Sequence, residues 1–339
     1  MKSKTKMPDA EDAKITQRTQ KEVEDKDGLK APHPAIGMIG LGIMGGAMVE
    51  SLIKQGYRVS GYDVSAPACK RLKAAGGQVL KSAAEVAQAS DVLIVSLSTS
   101  AALAATVGSI AAGGKRAKGK ELIVVETSTL PLEDKEHAYK TLQRLGMTVL
   151  DCPISGTAVR LKERAWTVYS SGNKKAFQRI EPIFKVFTDN LPYVGEFGNG
   201  TKMKFAANHL VAIYNVACAE SVTLARKMGL NPQDVLDLFG HSQVIGTGVM
   251  RLRMPQMIRR EYSPPTMKVE VWQKDMQVIG DMAKSVDCPL PLFSACAPIY
   301  SAAMAQGLDQ QDTASVSEVL AGMAGIAPAK PRLRKPKVA

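Results

Sequence analysis

Short runs of Val, Ile and Leu recur through the first half of the chain, separated by longer stretches in which apolar residues return every three or four positions. Residues 36–39, 57–62, 92–97, 122–125 and 148–150 are such runs. Their apolar character is largely continuous rather than alternating, which predicts strands buried on both faces of a parallel sheet. The segments between them have helical spacing, and Ser82 followed by Glu85 has the separation of a capping box ahead of an Ala-rich run. Strand–helix alternation of this kind predicts an α/β, doubly wound parallel sheet. Residues 167–170 and 191–194 are further strand candidates.

After about Gly200 the pattern changes. Helical spacing takes over across 201–228, 232–239, 267–285, 289–306 and 313–324. Asn231 before Pro232 makes a sound helix start, because proline at the first helical position gives up no hydrogen bond. Gly229, Gly240 and Gly307 are expected to end helices. The predicted organisation is a disordered leader over 1–33, a doubly wound domain over 34–197, an all-α domain over 198–326 entered through a long helix, and a disordered basic tail over 327–339. No internal repeat is evident.

With 339 residues and 45% apolar content, the chain can bury two cores. No uninterrupted apolar run is long enough to span a membrane, and the best stretch, 210–219, contains Asn215. The formal charge of +12 invites a nucleic-acid reading, yet Lys330, Arg332, Arg334, Lys335 and Lys337 gather in a proline-bearing tail that reads as a solvated end. No aromatic residues interleave with them, which argues against single-strand binding. The five cysteines (Cys69, Cys152, Cys218, Cys288, Cys296) include no Cys-x-x-Cys pair, so they read as reduced core thiols of a cytoplasmic protein rather than as a disulfide scaffold or zinc site. Acidic residues mixed with lysines in the first 33 positions argue against a transit peptide, and no apolar core marks a secretory signal. The histidines His33, His137, His209 and His241 have no metal spacing, and no metal is expected.

Gly40-Leu41-Gly42-Ile43-Met44-Gly45 directly follows the first strand and opens a helix expected over 46–55. In that context Gly-x-Gly-x-x-Gly spacing is a dinucleotide fingerprint. The first glycine permits a tight turn, the second lets the backbone approach a pyrophosphate, and the third lets helix and strand pack closely. Amides at the helix start then face the anion. Asp63 closes the second strand 23 residues after Gly40. A carboxylate there accepts hydrogen bonds from an adenosine ribose and repels a 2′-phosphate. Arg71, the next arginine along, lies at least a helical turn beyond it. NAD is therefore favoured over NADP.

In the second half, Lys204 and Asn208 share one helix face at i, i+4 spacing, on a segment that is apolar nearly all round from Phe205 to Ala219. Burial and the nearby helix N-terminus both disfavour the ammonium form. A lysine so tuned can donate a proton to a carbonyl oxygen or remove one from a hydroxyl. The alternative is a lysine that snorkels to solvent. His209 lies about 100° round the helix from Asn208 and reads as a core histidine. Ser155 lacks the Gly-x-Ser-x-Gly elbow of a hydrolase nucleophile.

Taken in order, these motifs resemble those of the β-hydroxyacid dehydrogenase family over residues 36–319. Beside the fingerprint stand Asp151-Cys152-Pro153-Ile154-Ser155-Gly156, similar to the family's substrate-binding Asp-Ala-Pro-Val-Ser-Gly, and Gly198-Asn199-Gly200 leading to Lys204 and Asn208, similar to Gly-x-Gly-x-x-x-Lys-x-x-x-Asn. Lys274-Asp275 matches the family's Lys-Asp pair, Glu126-Thr127-Ser128-Thr129 its Asp-x-Ser-Thr, and Leu97-Ser98 its Leu-Pro. The resemblance implies a Rossmann domain followed by an all-α domain, assembly as a homodimer or homotetramer, and oxidation of a small carboxylate-bearing 3-hydroxy acid or the reverse reduction. It implies Lys204 as the proton-transferring residue with Asn208 as the catalytic residue that orients it, and Ser128, Ser155 and Gly156 gripping the substrate carboxylate. Leu97, Ser98, Thr129 and Lys274 would lie at the cofactor.

The chain departs from the family pattern at 157–166, where a glycine-rich loop is usual and bulky or charged residues stand instead. These are expected to narrow the pocket, to add an anion contact through Arg160 or Arg164, or to face solvent. Two rival readings remain: an imine reductase, which usually replaces the lysine with Asp or Tyr, and a non-catalytic dinucleotide-binding protein whose basic tail contacts nucleic acid.

Overall fold

In the computed structural model, residues 33–114, 121–161 and 163–327 are described. The expected leader (except His33), the basic tail (except Ala327) and the Arg160 side chain lie outside the described residues. From Ala35 onward the described residues form one compact unit.

Strands β1 (Ile36–Ile39), β4 (Val92–Val95) and β5 (Ile123–Glu126) are buried along their whole length. Alternate side chains leave opposite faces of a strand, and the two faces meet different cores. Ile94 faces one cluster with Ile36, Met38, Val125 and Leu150. Leu93 and Val95 face the other, with Val124 and Val149. That double burial is why the strands read as continuous apolar runs. β2 (Val59–Tyr62) and β6 (Thr148–Asp151) complete the parallel set, and two-residue strands β3 (Gln78–Val79) and β9 (Ser171–Gly172) close the edges, β9 antiparallel. The strand order is β3-β2-β1-β4-β5-β6-β9. Successive strands are added outward in one direction from β1 to β3 and in the other from β4 to β6, and this switch between the parallel β1 and β4 leaves a crevice beyond their carboxyl ends where ligands of open α/β sheets bind. Helices α1 (Ile43–Lys54), α2 (Ala66–Ala74) and α6 (Lys174–Phe184) cover the first face, and α3 (Ala83–Ala89), α4 (Ser100–Ala112) and α5 (Leu132–Arg144) the second. Ser82 accepts a hydrogen bond from the Glu85 amide, as its spacing predicts.

Two expectations are corrected here. Residues 167–170 do not form one strand: β8 (Thr167–Val168) pairs antiparallel with β7 (Ile154–Ser155) in a separate small sheet. Residues 191–194 contribute only one isolated bridge, Tyr193 to Ser170, because Pro192 has no N–H to donate and interrupts the ladder.

The helical half is built on α7 (Asn199–Lys227), 29 residues long and thus about 43 Å at the usual rise. Around it lie α8 (Pro232–Phe239), α9 (Gly248–Arg259), α10 (Val269–Ser285), α11 (Pro291–Ala305) and α12 (Val316–Met323). Their core includes Phe205, Ala212, Ala219, Met254, Trp272 and Tyr300. Asn231 caps α8 as expected. Gly229 and Gly307 follow helices in the left-handed region, at φ +75° and +72°. Gly240 does not; it ends α8 at a right-handed φ of −58°. The final expected helix begins as a 3₁₀ turn over Thr313–Ser315. Helix α9 has no sequence expectation, since Arg251, Arg253 and Pro255 obscure its apolar stripe. Among the described residues no helix is long and apolar enough to cross a membrane.

Candidate active site

The fingerprint turn occupies the carboxyl end of β1. Gly40 takes φ +87°, and a Cβ there would lie 2.0 Å from the Ser96 carbonyl oxygen at the end of β4. At Gly45 a Cβ would meet the Gly40 carbonyl at 1.9 Å, whereas at Gly42 nothing lies within 4 Å. Two glycines thus close the turn, and the third leaves open the face where a pyrophosphate needs room. Leu41 is buried beneath the turn, while Ile43 is exposed and Met44 half-buried at the start of α1. Asp63 accepts hydrogen bonds from the Leu41 amide (2.6 Å) and the Ser65 amide (2.7 Å), holding its carboxylate beside the turn. These residues fit a dinucleotide with its ribose against Asp63. The sequence expectation that Arg71 stands apart is corrected: its guanidinium donates to the Leu41 carbonyl at 3.3 Å, because α2 turns back over the fingerprint.

Across the crevice, the segments after β4 and β5 bring Leu97 and Ser128 together. The Leu97 amide donates to the Ser128 hydroxyl oxygen at 2.8 Å, which leaves the hydroxyl proton available for another acceptor. Ser98 is exposed beside them and Thr129 half-buried. The Ser128 amide donates to Glu126 at 3.0 Å.

Beneath Ser128 lies a residue that sequence reasoning missed. Lys135, on α5, is fully buried, and its ammonium donates to the Ser128 carbonyl (2.9 Å), Asp151 (2.5 Å) and the Thr201 hydroxyl (2.8 Å). Glu126 Oε2 is 2.6 Å from the same ammonium, at ion-pair distance but off a hydrogen-bond axis. Burial lowers the Lys135 pKa, but Asp151 and Glu126 outweigh it and the ammonium is held above its ordinary range. Burial pushes Glu126 up, against the pull of Lys135. Asp151 also accepts from the Thr201 amide at 2.7 Å. The cluster therefore ties the ends of β5 and β6 to the first turn of α7. The available signal was its alignment with Ala138 and Leu142, at i+3 and i+7 on the buried stripe of α5.

Lys204 stands one turn further along α7 and is 7% exposed. Burial lowers its pKa to about 8, opposed by Asp275 and assisted by Lys274. Asn208, also buried, donates to Asp275 at 2.8 Å. Lys274 lies 3.3 Å from Asp275 and donates to the Thr129 carbonyl. Thus α10 packs its Lys-Asp pair against the Lys204–Asn208 face and reaches the loop after β5. The structure brings Lys204, Asn208, Lys274, Thr129 and Ser128 to one seam between sheet and helices.

Ser155 lies opposite Thr167 in the β7–β8 pair, and Gly156 follows at φ +146°. Of the three expectations for 157–166, the anion contact through Arg164 is not met. Its guanidinium is taken by Asp189 (2.6 Å) and the Lys185 carbonyl (2.7 Å), so it is anchored to the following segment. His209 is half-buried and stacks on Phe293, with ring centroids 5.6 Å apart. The cysteines are free, but not all are core thiols. Cys288 is exposed in the turn after α10, and Cys69 is half-buried with its thiol donating to the Asp63 carbonyl at 3.2 Å.

Comparison with known proteins covers both halves. Residues 35–195 match the family described as the NAD binding domain of 6-phosphogluconate dehydrogenase, and residues 198–320 that described as NAD-binding of NADP-dependent 3-hydroxyisobutyrate dehydrogenase. The chain is similar to L-threonate dehydrogenase of Haemophilus influenzae, at 28% identity over 85% of this chain and 96% of the relative. It is equally similar to mouse mitochondrial 3-hydroxyisobutyrate dehydrogenase, at 28% identity over 86% of this chain and 88% of that protein. The crystal structure of 3-hydroxyisobutyrate dehydrogenase from Salmonella typhimurium superimposes with a TM-score of 0.73 at 27% identity, covering 84% of this chain and 99% of that one.

Proposed function

Starting from the chain's membership of the β-hydroxyacid dehydrogenase family, whose enzymes are NAD(P)-dependent, we propose that it interconverts a small 3-hydroxy acid and its semialdehyde or keto acid, with Lys204 as general acid and base. The observation that carries this reading is the buried Lys204 amine, its pKa lowered to about 8, on the face it shares with Asn208 and the Lys274–Asp275 pair.

A bound nicotinamide supplies or accepts the hydride. The rest falls to the chain's own groups. Residues 34–197 hold the cofactor, with Gly40, Leu41, Gly42, Ile43, Met44 and Gly45 forming the pyrophosphate turn and Asp63 taking the adenosine ribose. Leu97, Ser98, Thr129 and Lys274 border the nicotinamide end. Ser128 donates its free hydroxyl proton to the substrate carboxylate, which Ser155 and Gly156 grip from the other side. Residues 198–326 bring Lys204. At pH 7 an amine of pKa about 8 is about nine-tenths protonated and serves reduction as an acid; above pH 8 it serves oxidation as a base. Asn208 keeps Asp275 in place, and through it the charge that faces Lys204. Retention of Lys204 separates this reading from imine reduction.

Asp63 supports NAD over NADP. The free cysteines support a cytoplasmic location, and the exposed apolar face of α7 supports a homodimer or homotetramer. The test is Lys204→Ala, assayed with NADH against succinic, tartronate and methylmalonate semialdehydes and glyoxylate. NADH binding is expected to persist while turnover falls by roughly 100-fold or more. Unchanged turnover would remove Lys204 from the chemistry.

A further inference from the structure

We propose that Trp166 is a positioning residue for the substrate: its indole is the floor of the turn Ser155-Gly156-Thr157 and sets where that turn meets a carboxylate. The inference rests on the assignment of Ser155 and Gly156 to the substrate.

The small β7–β8 sheet places Ser155 opposite Thr167, so the residue before Thr167 is delivered directly beneath the turn. Trp166 is 1% exposed there. At Gly156, a Cβ would lie 2.5 Å from Trp166 Cδ1 and 3.1 Å from Cγ. Gly156 therefore lies close against the Cδ1 side of the indole, and a side chain has no room. The indole N–H donates to the Thr157 carbonyl at 2.8 Å. Because a trans peptide points its C=O and following N–H in opposite directions, that bond turns the Ala158 amide away from the ring.

The floor is itself braced from below. Phe187 packs against the indole with centroids 6.0 Å apart, and the Thr188 hydroxyl donates to the Trp166 carbonyl. Arg164, in the left-handed region at φ +52°, is held by Asp189 and by the carbonyls of Lys185 and Val186. Arg164 and Trp166 are thus both tied to segment 185–189. Trp166, a bulky residue where a glycine-rich loop is usual, thus lies under the turn. Trp166 touches no reacting group; it acts through the backbone above it.

Trp166→Phe keeps the ring filling and removes the N–H, and Trp166→Leu removes the floor as well. The readouts are calorimetric binding of 3-hydroxypropionate in the presence of NADH, a non-reacting pair, and the KM values for semialdehyde and NADH. Loss of one hydrogen bond predicts roughly fivefold weaker acid binding in Trp166→Phe, a parallel rise in semialdehyde KM, and a larger effect in Trp166→Leu. KM for NADH and kcat should stay within about threefold. Unchanged acid binding in Trp166→Phe, with only a lower Tm, would reduce the indole to core filling and overturn the proposal. Because binding is read directly, weaker binding in the variant supports it even if wild type turns over no acid assayed, a result that would count against the proposed function alone. Absence of binding to wild type would overturn both.

Discussion

At the residue scale, Lys204 carries a cost that its chemistry requires. Its pKa is lowered from 10.5 to about 8 by burial, so below pH 8 the native state holds a charge it disfavours. Between about pH 8 and 10.5 the unfolded chain binds the extra proton, and stability is therefore expected to rise with pH across that window. A shift of this size corresponds to about 3 kcal/mol. Lys204→Met is accordingly expected to raise stability at pH 7 by that order, with the gain over wild type shrinking towards pH 10.5, while turnover is lost. Denaturant unfolding at several pH values checks both the sign and the window. In the active enzyme the same group implies that the rate of semialdehyde reduction falls above pH 8 and that of alcohol oxidation rises towards it. Lys204 was legible in the sequence because a cation in an all-apolar helix stands out. Lys135 was not, because Glu133, Asp134, Glu136 and Lys140 surround it in α5 and a buried charge looks like one more solvated one. The reach of Arg71 to Leu41 was hidden for a different reason: separation along the chain says little about where a long side chain ends.

At the element scale, the question is what fixes α7 relative to the sheet. The answer is the Lys135 cluster, which joins β5, β6 and the first turn of α7 through Glu126, Asp151 and Thr201. Breaking a buried ion pair by removing one partner leaves an uncompensated charge, typically at about 3–5 kcal/mol. Lys135→Met is expected to destabilise the protein by that order in denaturant unfolding, and Glu126→Gln with Asp151→Asn in the same chain to restore part of it. A loss below 1 kcal/mol would mean the cluster does not bind the two halves together. The sheet was legible because its strands are buried on both faces, and that burial forces unbroken Val, Ile and Leu runs. The strands β3, β7 and β9 were not, since two residues carry no period. Helix α9 was missed because the buried Arg253, paired with Asp312, occupies a position on its inner stripe where pattern reading expects an apolar side chain.

At the scale of the whole molecule, α7 presents an unusual outer face. Met203, Leu210, Tyr214, Leu224 and Met228 are all exposed, and their spacing returns to one side of a helix every three or four residues. Apolar stripes of this extent are uncommon on a monomer's surface and mark association sites. Symmetric pairing of identical chains is the commonest way to cover one, and a helix of this length gives two copies a long line of contact. Light scattering is therefore expected to return a mass of two chains or a multiple. Leu210→Glu combined with Tyr214→Glu should lower it towards one chain, with wild-type Tm dependent on concentration and the variant's not. Leu210 lies about a third of a turn round the helix from Lys204, so NADH binding by the variant should survive if the monomer folds. Loss of assembly together with loss of turnover but not of cofactor binding would mean that the second copy steadies the helix holding Lys204. A wild type that stays monomeric at high concentration would leave the stripe without an occupant and refute the assembly.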